Sequence, residues 1–173
     1  MTNDEVQMNV QYPMTNYTSK PPGDSEVLEE AFWAGENNSS VAELHEESHP
    51  ELESHREPFF DLEERTARFG EAIIRFAKKI PQNTVNNRLV SQLVGAGTSV
   101  GANYCEADDG VSKNDFRHKI GTCKKEARET KFFLRMVAIS QPELKSEARI
   151  LWQEAKELHL IFCAIWRKTG KTE

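Results

Sequence analysis

The chain has 173 residues, 38% hydrophobic and 29% charged, with a formal net charge of -6, which suits one domain, or one domain plus a tail, around a real core. No apolar run approaches the roughly 18 residues that span a bilayer, and no basic segment followed by an apolar one opens the chain, so the reading is a soluble cytoplasmic protein without a membrane role. The charge is split: 13 acidic residues face only Lys20 and Arg56 up to Pro58, whereas 15 acidic residues face 20 basic ones from Phe59 onward, an acidic arm on a mildly basic body.

Residues 1–58 are poor in aliphatics and interrupted by Pro13, Pro21, Pro22 and Pro50. Such a segment buries too little apolar surface to offset its ordering entropy, and it is expected to be a mostly disordered acidic arm. Within it, Asp24 is placed to cap a short helix carrying Val27, Leu28, Ala31, Phe32 and Trp33 and ended by Gly35, a segment that could meet a protein partner. His45, His49 and His55 lie among glutamates and read as part of the tail rather than as a metal site.

The body, residues 59–170, begins with Asp61 and Glu64 in the spacing of a capping box. Leu62, Thr66, Phe69, Ile73, Phe76 and Ile80 follow at steps of three and four and predict a first helix, stopped by Pro81. Thr84 is the expected cap of a second helix running to about Asp108, with Leu89, Leu93, Ala96, Val100, Tyr104 and Ala107 on one face. Gly95, Gly97 and Gly101 lie inside that helix, each costing about 0.5–1 kcal/mol relative to alanine. Close approach of a neighbouring helix along Gly97, Gly101, Ala102 and Cys105 is the expected offset.

Asp109 and Gly110 mark a turn, and Ser112 with Asp115 caps a third helix. Its core face is Phe116, Ile120, Cys123, Ala127, Thr130, Leu134 and Val137. About 100° away, Arg117, Lys124, Arg128, Lys131 and Arg135 stack into a basic ridge. A third face, His118, Thr122, Glu126, Glu129 and Phe133, is mixed. The fourth helix opens at Pro142 and carries Leu144, Ala148, Leu151, Ala155, Leu158, Phe162 and Ile165, with Trp152, His159 and Trp166 in a neighbouring row. Four amphipathic helices joined by short turns predict an all-α, antiparallel up-down-up-down four-helix bundle. Ile74, Phe133, Ile150, Trp152, Ile161 and Trp166 lie off the main core faces, and this surplus of apolar surface points to a homo-oligomer.

GTSVGANYCEA at 97–107, SKNDFRHKI at 112–120 and KEARETKFFL at 125–134 resemble the bacterial four-helix-bundle family related to proteins encoded by intervening sequences in 23S rRNA genes. The resemblance covers about Leu62 to Lys168 and none of the arm. It implies an up-down bundle assembled as a ring, a pentamer, and its members are mostly uncharacterised. A related branch serves reverse transcriptases of diversity-generating retroelements as an accessory, where a basic surface is thought to hold nucleic acid. Relatives often carry a basic residue after the Gln-Leu of the second helix, whereas this chain has Val94 and Gly95 after Gln92 and Leu93, so any cationic site falls to the third helix.

The functional expectation is a non-enzymatic nucleic-acid-binding accessory that uses Arg117, Lys124, Arg128, Lys131 and Arg135. The competing expectation is a protein scaffold without a nucleic-acid role, in which the ridge is a solvated face paired with Glu147, Glu154 and Glu157. The opposite charges of arm and ridge also suggest that the arm masks the ridge within one chain. No interleaved aromatics argue for base stacking. His159 and Cys163, one turn apart, and His118 with Glu129 read as packing and as a structural polar network rather than as catalytic pairs. Glu106, Asp108 and Asp109 lack the spacing of a calcium loop, and no metal or cofactor is expected. Cys105, Cys123 and Cys163 read as buried free thiols in a reducing compartment.

Overall fold

Capping chemistry sets where the helices of the body begin. In the computed structural model, which describes residues 24–34 and 61–170, Asp61 accepts a hydrogen bond from the Glu64 amide at 3.0 Å and opens α2, Leu62–Ala77. Ser112 accepts one from the Asp115 amide at 3.1 Å and opens α4, Lys113–Ser140. The cap of α3, Thr84–Asp108, is Asn83 instead of Thr84. Its side chain reaches two free amides, Val85 at 3.0 Å and Asn86 at 2.8 Å, which a residue already inside the helix could not do. Helix α2 also stops before Pro81 is reached. Its regular part ends at Ala77, and tighter turns from Lys79 to the Phe76 carbonyl and from Ile80 to that of Ala77 carry the chain on. Pro142 begins a single 3-10 turn, Pro142–Leu144, and α5 follows as Lys145–Thr169.

The chain divides into two units, Met1–His49 and Pro50–Glu173. In the first, α1 spans Asp24–Ala34. The rings of Phe32 and Trp33 meet edge to face with centroids 4.9 Å apart. The expected disorder of the arm, the arm–body boundary at 58, Gly35 and the three arm histidines lie outside the described residues.

The second unit is an all-α bundle in which each helix packs on its neighbours in sequence and α2 closes on α5. Contacts between distant residues fix the directions. Gly97 of α3 faces Ile73 and Gly101 faces Thr66; Glu106 pairs with Lys119, while Asn86 meets Ser140; Gly121 faces Trp166, and Lys131 lies over Trp152. In each case one number rises as the other falls, so the helices run up, down, up and down. Among the described residues there is no strand.

Ile73, Phe76, Leu93, Val100, Ile120, Leu134, Val137, Leu158 and Phe162 fill the core. Three buried polar groups are satisfied locally or across the bundle. Thr66 and Thr130 donate to the carbonyls of Glu63 and Glu126. Asn86 donates to the Pro81 carbonyl at 2.7 Å and accepts from Ser140 at 2.5 Å. Of the apolar residues expected off the core, Ile74 and Ile150 are exposed, but Trp152 is buried because it lies under α4.

Partial burial raises the carboxyl of Glu126 above the ordinary glutamate range, with the nearby Glu129 charge adding to the effect. A raised carboxyl favours the folded state in acid and loses that contribution as pH rises through its folded value. Glu126→Gln should therefore be more stable than the parent at pH 7, and the difference should vanish below the ordinary glutamate range. Urea melts of both proteins at the two pH values measure it.

Candidate nucleic-acid interface

The five ridge residues share one flank of α4, and α5 lies against that flank through a notch. A β-carbon at Gly121 would stand 3.3 Å from Nε1 of Trp166. The bare backbone thus admits the indole between Arg117, one turn before, and Lys124, one turn after. The Arg117 guanidinium carbon and the Lys124 ammonium lie 4.2 and 4.3 Å from that ring's centroid. Two turns on, Lys131 is 4.9 Å from the centroid of Trp152, and Lys156 of α5 reaches the same ring at 5.4 Å. These are cation–π distances, so the tryptophan row of α5 is threaded by the cations of α4. The ridge row of α4 carries no aromatic of its own, and the rings between its cations come from α5.

The ridge residues are not equivalent. Arg117 is half-buried, with its Nε enclosed without a hydrogen-bond acceptor, and its guanidinium packs against Gly170 at the end of α5. A cation there complements the helix C-terminus. Lys124, Lys131 and Arg135 are half-buried, while Arg128 is exposed.

The glutamates expected to neutralise the ridge face the other way. Arg65 of α2 donates to both carboxylate oxygens of Glu154, at 2.6 and 2.8 Å, and to Glu157 at 2.6 Å. Those bonds, Glu154 first, hold the guanidinium above its ordinary value. Lys79 takes Glu147 at 2.6 Å. On α4, Glu126 lies two residues from Lys124 and Arg128, and Glu129 one from Arg128 and two from Lys131, spacings at which side chains on a helix do not face each other. The carboxylates of α5 thus bind α2, while its Lys156 meets Lys131 of α4 at the Trp152 ring.

That α5 row was missed from sequence. Arg149, Lys156 and Arg167 are separated by seven and eleven residues, spacings that return to one face of a helix. The Arg167 side chain donates to the Cys163 carbonyl at 3.2 Å. Burial pushes the Cys163 thiol up, with Lys124, Arg167 and Arg128 pulling the other way. The seven-residue step from Arg149 to Lys156 was the available signal.

The remaining chemistry is structural. Cys163 lies 3.6 Å from Nε2 of His159, but a thiol pushed up is a poor nucleophile. Cys123 is buried and pushed up to about 12. The expected His118–Glu129 network does not form, because eleven residues of helix separate the two by about 16 Å. On α3, Gly97 and Gly101 lie in the seam with α2, while Ala102 and Cys105 are exposed. Ala102 is rotated about 100° from Gly101. Cys105 is level with the first turn of α2, near Glu63, where the opposing backbone runs out. Among the described residues there is no cluster of side chains that could hold a metal ion, and no helix long and apolar enough to cross a membrane.

Residues 60–164 match the family model described as 23S rRNA-intervening sequence protein. The chain belongs to this family. Its bundle is similar in fold to a crystal structure of a protein of unknown function from the S23 ribosomal protein family of Bacteroides thetaiotaomicron. That likeness has a TM-score of 0.54 and 24% identity over 61% of this chain and 95% of the other. Among curated proteins no match was found. The family match takes in α2, α3, α4 and most of α5, including Arg149 and Lys156 but not Trp166 or Arg167, while α1 lies outside it.

Proposed function

We propose that this member of the 23S rRNA-intervening sequence protein family is a non-enzymatic, cytoplasmic accessory protein that binds RNA or DNA on its α4–α5 face. The observation that carries this reading is the sorting of charge on α5. Glu147, Glu154 and Glu157 are drawn to Lys79 and Arg65 of α2, away from the flank of α5 that meets Lys124 and Lys131 of the row Arg117, Lys124, Arg128, Lys131 and Arg135. Five phosphate contacts on duplex DNA would give a salt slope of about -4.5. With cations already against Trp152 and Trp166, bases have little access to those rings, and the face reads backbone charge rather than sequence.

Arg128→Glu is the cleanest test, because Arg128 is exposed and not stacked on a tryptophan. Affinity for a mixed-sequence DNA should fall about tenfold near 50 mM salt, with the slope shallower by about 0.9. Unchanged anisotropy titrations would overturn the reading.

A protein-contact role is the second reading. Phe132 and Ile139 are 56% and 65% exposed, and their seven-residue spacing puts both on one outward strip of α4. Such a strip suits a homo-oligomer, including the pentameric ring that the family resemblance implies. Light scattering on Phe132→Glu would report its loss.

A further inference from the structure

On the reading that this face binds nucleic acid, we propose that the groove between α4 and α5 seats one single-stranded backbone, in preference to a duplex. The argument rests on where the two rows of cations point. Lys131 and Lys156 come from opposite helices, yet both ammonium groups lie within 5.4 Å of the Trp152 centroid. Lys124 of α4 lies 4.3 Å from the Trp166 centroid, and Arg167 of α5, next to that tryptophan in sequence, donates to the Cys163 carbonyl at 3.2 Å. The rows therefore converge on a single line, Trp152 to Cys163 to Trp166, instead of forming two separated tracks.

A duplex offers two backbones set apart by a minor groove about 6 Å wide or a major groove about 12 Å wide. One convergent line of charge engages one of them and leaves the other unmatched. A single strand has no such second backbone, and it bends to keep successive phosphates on the line. From Arg117 to Arg135 the line runs about 27 Å along α4, at 1.5 Å per residue. The bases then turn outward, away from rings already covered by cations.

The test uses the full chain and a labelled mixed-sequence DNA strand, alone and as its duplex, in anisotropy titrations from about 50 to about 200 mM salt. The single strand should bind at least about tenfold more tightly than the duplex. Lys156→Glu with Arg167→Glu should make its salt slope shallower by about 1.4, at roughly 0.7 per lost contact. Lys156→Gln with Arg167→Gln, which introduces no new charge, should give the same change in slope with a smaller loss of affinity. Duplex binding as tight as single-strand binding would overturn the single-strand seat. So would a slope indifferent to both α5 pairs while Arg128→Glu still weakens binding; either result leaves the nucleic-acid reading standing. Failure to bind either probe would remove both.

Discussion

Phe162→Ala is expected to lower the free energy of unfolding by about 3–5 kcal/mol, the range for deleting a fully buried phenylalanine. Phe162 has no exposed surface and lies on the core face of α5 with Leu158 and Ile165. Its ring meets Tyr104 of α3 with centroids 5.9 Å apart. The fourth helix therefore reaches across to the second through this side chain. Truncation removes the transferred apolar area and leaves a cavity that helices already in contact cannot close. Against a typical total of about 5–15 kcal/mol, that loss is a large fraction. Val111→Ala is the control: 95% exposed in the turn between α3 and α4, it should change stability little. Urea unfolding of the two variants gives the comparison, and a loss below about 1 kcal/mol for Phe162→Ala would show that the α3–α5 contact contributes little to the bundle.

The helices were legible because their determinants are local. Asp61 and Ser112 cap at the predicted positions, and the core positions of α2, α4 and α5 follow directly from three-four spacing. Errors begin where two local solutions compete. Asn83 and Thr84 are both capping residues one position apart, and only the path of the turn decides between them. Trp152 stands about 90° from the centre of its helix's core face, a boundary angle at which burial depends on the neighbour.

The candidate site was legible as a row of charge, but not as an environment. Nothing in the spacing of α4 shows that Gly121 admits the Trp166 indole, since that requires the register of α4 against α5. Nor does the spacing of α5 tell which side its glutamates serve. Arg65 and Glu154 are 89 residues apart, and their bidentate pairing is a property of the closed bundle. The reversal matters for function: the same glutamates would have silenced the ridge had they faced it.

The α2–α3 seam allows the sharpest separation of propensity from packing. Gly95→Ala should stabilise the protein by about 0.5–1 kcal/mol, because a β-carbon there meets nothing within 4 Å and the helix gains the usual preference for alanine over glycine. Gly97→Val should destabilise it by about 3 kcal/mol, despite removing a glycine from the same helix. At Gly97 the first added carbon already falls 2.9 Å from both γ-carbons of Ile73 and 3.2 Å from its β-carbon. Ile73 cannot yield cheaply, being β-branched, stiff at χ1 and fully buried. The backbones must separate instead, and Gly101 against Thr66 on the next turn separates with them. Thermal melts of the two variants should move in opposite directions. If both rose, the glycines of α3 would be tolerated defects, and close approach of α2 and α3 would not be what fixes this seam.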